Sequence, residues 1–235
     1  MIDADIVYVS ASTTYRVLLS AGILFGEPQR KSKKGKGFKQ PSRVHSHWHI
    51  DITYIKIKGV FYYLVLVLDG YSRYIVSWDL REKMEERDIE VVMQKGREKF
   101  PGAKPRIISD NGSQFISKEF RIFISRTGMS HVRTSVNYPQ ANGKLERSNK
   151  TVKEYLKTMY IADFEDGKRI LGGFINYYND ERLHSAIGYV APLAKLEGRE
   201  KTIFAERERK LEGARLERAK VRQQHGTIAA AQASL

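Results

Sequence analysis

The apolar positions of this chain change period along its length, and each change marks an element. Trp48 to Lys58 alternates apolar and polar residues as a half-buried strand does, and Lys58-Gly59 is a hairpin turn signal. Val60 to Leu68 is a continuous apolar run that stops at Asp69-Gly70, the mark of a central strand covered on both faces. Tyr74 to Asp79 makes a third strand. The period then switches to helix: Ile89, Val92, Met93, Gly96 and Phe100 share one stripe, which Pro101-Gly102 ends. Arg106 to Ser109 is a short strand. Phe120, Phe123 and Ile124 mark a helix capped by Ser117 and stopped by Gly128, and Met129 to Thr134 a fifth strand.

Pro139 keeps Tyr138 out of helical conformation, so Ser135 to Ala141 reads as a loop. Asn142 then caps a long helix whose buried stripe is Leu145, Val152, Leu156 and Met159. A further helix holds Ile170, Leu171, Phe174, Ile175 and Tyr178. Near the start, Tyr15 to Ser20 forms a short helix capped by Ser12 or Thr13 and ended by Gly22. From about Glu197 the sequence is dense in alternating charge and helical by propensity, without a heptad, and its last ten residues look frayed. That tail reads as an exposed helix, with contact to DNA or a second subunit as the alternative.

The order three strands, helix, strand, helix, strand, helix is that of an RNase H-like α/β fold, a mixed five-stranded sheet flanked by helices. The expected organisation is a partial helix-turn-helix-like segment at 1–25, a basic linker at 26–44, a catalytic core at 45–195 and a charged helical tail at 196–235. In such a sheet Asp51 sits mid-sheet on the first strand. Asp110 ends the fourth strand, beside the first, and Glu146 enters from the first turn of the long helix. Three acids on three elements, Asp110 and Glu146 with 35 residues between them, are hard oxygen ligands of the kind that suit Mg²⁺. Two such ions about 3.5–4 Å apart can serve an in-line phosphoryl transfer. Asp-Glu pairs at any chosen spacing are common by chance, and Asp69 in VLDGYSR competes as a ligand, although a turn Asp usually serves backbone hydrogen bonds. Glu146, Lys150 and Lys153 fall at i, i+4 and i+7, within about 60° of helical arc, and share a polar face.

Charge changes the picture next. A net +14 and a pI near 9.8 point to a polyanion. Lys33, Lys34 and Lys36 of the linker are placed to neutralise phosphates. The longest apolar run, Phe61 to Leu68, is too short to span a bilayer, no secretory signal opens the chain, and zero cysteines suit a reducing cytosol. His45, His47 and His49 share one strand face, but no matching fourth ligand lies nearby, so metal binding there is not favoured.

Five stretches in order resemble insertion-sequence transposases of the retroviral-integrase (DDE) superfamily: WHIDITYI, VLDGYSRYIV, IISDNGSQF, SVNYPQANGKLERSNKTVKEY and YYNDERLHSAIGYVAP. They cover roughly Trp48 to Pro192. STTYRVLLSAGI resembles the end of the upstream helix-turn-helix of such transposases, whose fuller segment the chain would enter partway. The resemblance implies that Asp51, Asp110 and Glu146 are the metal-binding catalytic triad, with two Mg²⁺ ions and Mn²⁺ as a substitute. Asn111, Gly112 and Gln114 would shape the loop after the second acid. Tyr138, Gln140 and Asn142 would lie in a mobile active-site loop near the DNA end, and Lys150 and Lys153 would contact terminal nucleotides. It further implies DNA partners (element ends and target), a homo-oligomer in the active complex, and 3′-end cleavage followed by strand transfer in a bacterial cytoplasm. The rival readings are an RNase H-like nuclease or resolvase that cuts without joining, and a domesticated transposase that only binds DNA. A basic RNA-binding module is a weaker rival that leaves the acids unexplained.

Overall fold

The computed structural model describes residues 2–24, 40–134 and 143–232. It divides into two compact units, Met1–Lys33 with Gly198–Leu235, and Lys34–Glu197.

In the larger unit, β1 (His47–Ile57), β2 (Val60–Asp69) and β3 (Ile75–Arg81) form an antiparallel meander, and β4 (Arg106–Ser109) and β5 (Ser130–Arg133) add in parallel. The sheet order is β3-β2-β1-β4-β5. Lys58 and Gly59 take positive φ, 45° and 87°, the conformation a two-residue hairpin turn requires. On one face α2 (Glu86–Lys99), the short α3 (Ser113–Ile116) and α4 (Lys118–Arg126) bury Trp48, Ile50, Val65 and Val67 against Ile89, Met93, Phe115 and Phe120. On the other, α5 (Gly143–Lys157) and α6 (Phe164–Asp180) bury Ile55, Leu64, Leu66 and Leu68 against Leu145, Val152, Leu171 and Phe174. Burial on both faces explains why β2 is apolar without alternation. Gly96 belongs to the α2 stripe for a steric reason. A Cβ there would meet Val76 and Trp48 at 3.0 and 3.2 Å, so α2 lies close on the sheet only because this position is glycine.

Behind α6, Ser185–Ile187 forms a 3-10 turn and α7 (Pro192–Leu196) closes the unit. Asn179 of α6 acts as a one-residue strand on the sheet edge: Ile75 N–H donates to its Oδ1 at 2.8 Å, and its Nδ2 donates to Ile75 C=O at 3.0 Å.

In the smaller unit, α1 (Ala11–Ser20) starts earlier than Ser12 or Thr13 would place it, because Ser10 is the cap and accepts from Thr13 N–H at 3.2 Å. The charged tail is one helix, α8 (Glu200–Gln232), and it extends into the residues expected to fray. Arg207 donates to Asp3 at 2.7 Å, and Lys210 pairs with Asp5. Among the described residues no helix is long and apolar enough to cross a membrane.

Candidate active site

The pairing of β1 with β4 sets the geometry of the acids. His49 is opposite Ile108 in a parallel ladder. Carrying that register two residues further brings Asp51 level with Asp110, beyond the carboxyl end of β4, on adjacent strands about 4.8 Å apart. Glu146 comes from the exposed first turn of α5, whose buried stripe of Leu145, Val152 and Leu156 seats the helix on the sheet face that Asp51 looks onto. Met159, expected in that stripe, lies beyond the end of α5 and is 38% exposed.

Burial pushes the Asp51 carboxyl up to about 6; the negative charge of Asp110 adds to this and that of Glu146 contributes further. The Ile52 backbone N–H and the positive charge of Lys153 act in the opposite direction. Asp51 therefore senses Asp110, Glu146 and Lys153 together. Among the described residues, however, no three His, Cys, Asp or Glu side chains converge closely enough to hold one metal ion as they stand. Two of the three carboxylates are held by neighbours. Asp51 Oδ2 accepts from Asn149 Nδ2 at 2.8 Å, and Asp110 Oδ1 accepts from Gly112 N–H at 2.9 Å.

The loop after Asp110 is built for that second bond. Asn111 Nδ2 donates to Thr134 C=O at 3.1 Å, tying the loop to the end of β5, and Phe115 anchors α3 in the core. Gln114 stays local, accepting from Ser113. Asp69, the competing acid, is a structural turn residue: Ser72 N–H and Oγ both donate to its Oδ2 at 2.7 Å, and His45 N–H donates to Oδ1 at 2.8 Å. His45 Nδ1 accepts from Trp48 Nε1 and His49 is fully buried, so this histidine run belongs to the packing. Lys150 is exposed and, among the described residues, paired only with Glu154 at 3.8 Å, a contact of little energetic value. Tyr138, Gln140, Asn142, Lys33, Lys34 and Lys36 lie outside the described residues.

Asn149 is the residue that sequence reasoning passed over. It stands at i+3 from Glu146, between the polar face of Glu146, Lys150 and Lys153 and the buried stripe of Leu145, Val152 and Leu156; it is 6% exposed, and its Oδ1 is buried without a partner among the described residues. The i+3 spacing was the available signal. For strand joining, the activity that the sequence resemblance implies, Asn149→Ala should be slower by about tenfold, the value of one hydrogen bond to a charged group, with little change in DNA affinity. Parallel rate and anisotropy measurements check this, and an equal loss in both would assign Asn149 to DNA binding.

Two family models described as "Integrase core domain" match residues 41–139 and 127–192. The transposase of insertion sequence IS904 from Lactococcus lactis is 25% identical over 173 residues, covering 68% of each chain. An uncharacterised protein of insertion element IS136 from Agrobacterium fabrum is 27% identical over 172 residues, covering 69% of this chain and 88% of that one. Among solved structures, a chain of the simian T-cell lymphotropic virus intasome in complex with the PP2A regulatory subunit B56 gamma aligns with a TM-score of 0.59 at 18% identity. The alignment covers 79% of this chain and 66% of that chain. The HTLV-2 integrase catalytic core domain, solved in complex with magnesium in a trimeric form, aligns at 0.52 and 20% identity, covering 63% of this chain and 95% of that one. The larger unit thus has the RNase H-like fold of retroviral integrase cores.

Proposed function

Because this chain belongs to the insertion-sequence transposases of the retroviral-integrase superfamily, we propose that it cleaves the 3′ ends of an element and joins them to target DNA, with Asp51, Asp110 and Glu146 as its catalytic acids. The observation that carries this reading is the parallel pairing of β1 with β4, which sets Asp51 level with Asp110, while Glu146 comes from the helix packed on the sheet face of Asp51. A half-buried acid whose carboxyl is pushed up by burial and by two neighbouring acids has the chemistry of a divalent cation site, since a shared cation relieves the repulsion. Asp51, Asp110 and Glu146 would hold Mg²⁺, with Mn²⁺ as a substitute, and the bound ions would stabilise the attacking and leaving oxygens of an in-line displacement.

The remaining roles fall to the protein. Asn149 orients Asp51, and the Gly112 amide orients Asp110 until it turns to its ligand position. Lys153 and Lys150 project from α5 on the side of Glu146 and draw in the end phosphates. In the first step water attacks the phosphodiester, a P–O bond forms as another breaks, and a 3′-hydroxyl leaves. In the second that hydroxyl attacks a target phosphodiester and displaces its 3′-oxygen. No side chain is needed as a covalent nucleophile. The hydroxyl next to Asp110, Ser109 Oγ, is already engaged with His131 Nε2 at 2.8 Å and with the Asp110 carbonyl.

Incubating the protein with a duplex of its element's end and Mg²⁺ tests this reading. It predicts a 3′ nick and then strands longer than the substrate. Nicks without longer strands would favour a nuclease, and binding without nicks a DNA-binding derivative. The role of Lys153 has its own test. Lys153→Ala should lower the slope of log affinity against log salt by about one unit for end duplex. An unchanged slope would remove this lysine from the interface.

A further inference from the structure

On the face covered by α2 and α4, β1 and β2 run on past the helices, whereas on the other face α6 covers them as far as Ile57. β4 pairs only with His47 to His49, so among the described residues the β1 edge from Ile50 to Ile57 is open on that side. Alternation puts Tyr54 and Lys56 on the same face as Trp48 and Ile50, beyond the part that α2 and α4 bury. Tyr54 is directly opposite Tyr63, and Lys56 opposite Phe61. The rings touch: Tyr54 to Tyr63 is 5.1 Å between centroids and Tyr54 to Phe61 is 6.4 Å, with Lys56 Nζ 5.4 Å from the centre of Phe61. Tyr54 is nevertheless 55% exposed and Phe61 60%. At the tip, Lys58 Nζ lies 5.7 Å from the ring of Tyr160, which is 80% exposed.

We propose that this hairpin face is a stacking platform for unpaired DNA bases next to the scissile phosphate. Three features select DNA over a protein partner. Residues 52–68 contain Lys56 and Lys58 and no acid, so the patch complements a polyanion. Aromatic faces interleaved with lysines bind single-stranded nucleic acid without regard to sequence. Tyr54 is three residues along β1 from Asp51, about 10 Å at strand rise, and its side chain is on the opposite face of the sheet, so a DNA strand reaches it by rounding the unpaired β1 edge. A strand whose phosphate lies at Asp51 and Asp110 can therefore pass the open β1 edge and lay its next bases on Tyr54, Tyr63 and Phe61. The inference rests on the transposase reading for its ligand and for the position of the cut.

The test compares a blunt mixed-sequence duplex with the same duplex bearing a five-nucleotide single-stranded tail that carries 2-aminopurine. The platform predicts that the full chain binds the tailed duplex about tenfold more tightly and changes the 2-aminopurine emission. In Tyr54→Ala/Phe61→Ala the preference should fall to about one and the emission change should vanish. Unchanged thermal melting would show that the variant is folded, and Lys56→Ala gives a milder second variant. Equal binding of the two duplexes by the unaltered protein, or a tail preference that survives in the double variant, overturns the platform alone. A double variant that keeps the preference but loses self-association in sedimentation overturns it in favour of a contact between copies. Binding of neither duplex overturns the platform together with the DNA reading.

Discussion

Asp110→Asn should reduce strand joining at least about 1,000-fold, some 4 kcal/mol of transition-state stabilisation, and leave DNA affinity intact. The substitution is close to isosteric, and the Asn Oδ1 can still accept from Gly112 N–H, so the loop from Asn111 to Phe115 keeps its shape. What disappears is one negative charge beside Asp51. The Asp51 carboxyl then feels one repulsive neighbour fewer, and the proposed cation loses a hard ligand. Without metal, Asp110 only repels the DNA backbone, so binding of end duplex in EDTA should be equal or slightly tighter. Joining measured on denaturing gels and binding measured by anisotropy separate these effects. Joining within tenfold of the unaltered protein would remove Asp110 from the chemistry.

Asn179→Ala should be the most destabilising single substitution outside the apolar core. β3 is an edge strand, and at Ile75, 1% exposed, that edge is buried beneath α6 instead of reaching water. The pairing of β2 with β3 also shifts register between Val67 and Leu68, next to Ile75. Asn179 satisfies both Ile75 backbone groups at once. Alanine leaves a buried N–H and a buried C=O unpaired, each costing about 1–3 kcal/mol, for about 3 kcal/mol in all with partial relaxation. For a chain of this size that is a fall in melting temperature of roughly 6–12 °C. Truncating the half-exposed neighbour Tyr177 should cost far less. A melting temperature for Asn179→Ala within 2 °C of the unaltered protein would show that Ile75 finds another partner.

Asn179 also illustrates what the sequence could and could not convey. It lies in YYNDERLHSAIGYVAP, a stretch that carries the family resemblance, and its side chain completes a sheet. No periodicity announces an asparagine pairing with a strand 104 positions away. Strands and helices with strong periods were legible almost to the residue: Arg106 to Ser109 falls where the pattern puts it, and Ser117 caps α4 as expected. Ends set by one hydrogen bond were not, as the Ser10 cap of α1 shows. The brief α3 escaped because four residues carry too little pattern to declare a helix.

At the site, the positions of Asp51, Asp110 and Glu146 followed from strand order, because parallel pairing of β1 with β4 leaves few alternatives. Their present partners did not follow. A side-chain hydrogen bond such as that of Asn149 to Asp51 depends on how α5 is rotated over the sheet, which only the packed stripe of Leu145, Val152 and Leu156 determines. The half-buried position of Lys153, near enough to lower the Asp51 carboxyl, and the exposed position of Lys150 also depend on that rotation. The two lysines share a face in the sequence but are unequal in the fold.

The most direct measurement is of metal binding, independent of turnover. Mn²⁺ loses most of its free electron paramagnetic resonance signal when it is bound by protein. Titrating Mn²⁺ into the protein with end duplex, and into its Asp51→Asn, Asp110→Asn and Glu146→Gln variants with the same duplex, asks whether the three acids act as one site. The proposed site predicts loss of free signal with the unaltered protein and a much weaker loss with each variant. Equal loss in all four samples would contradict it.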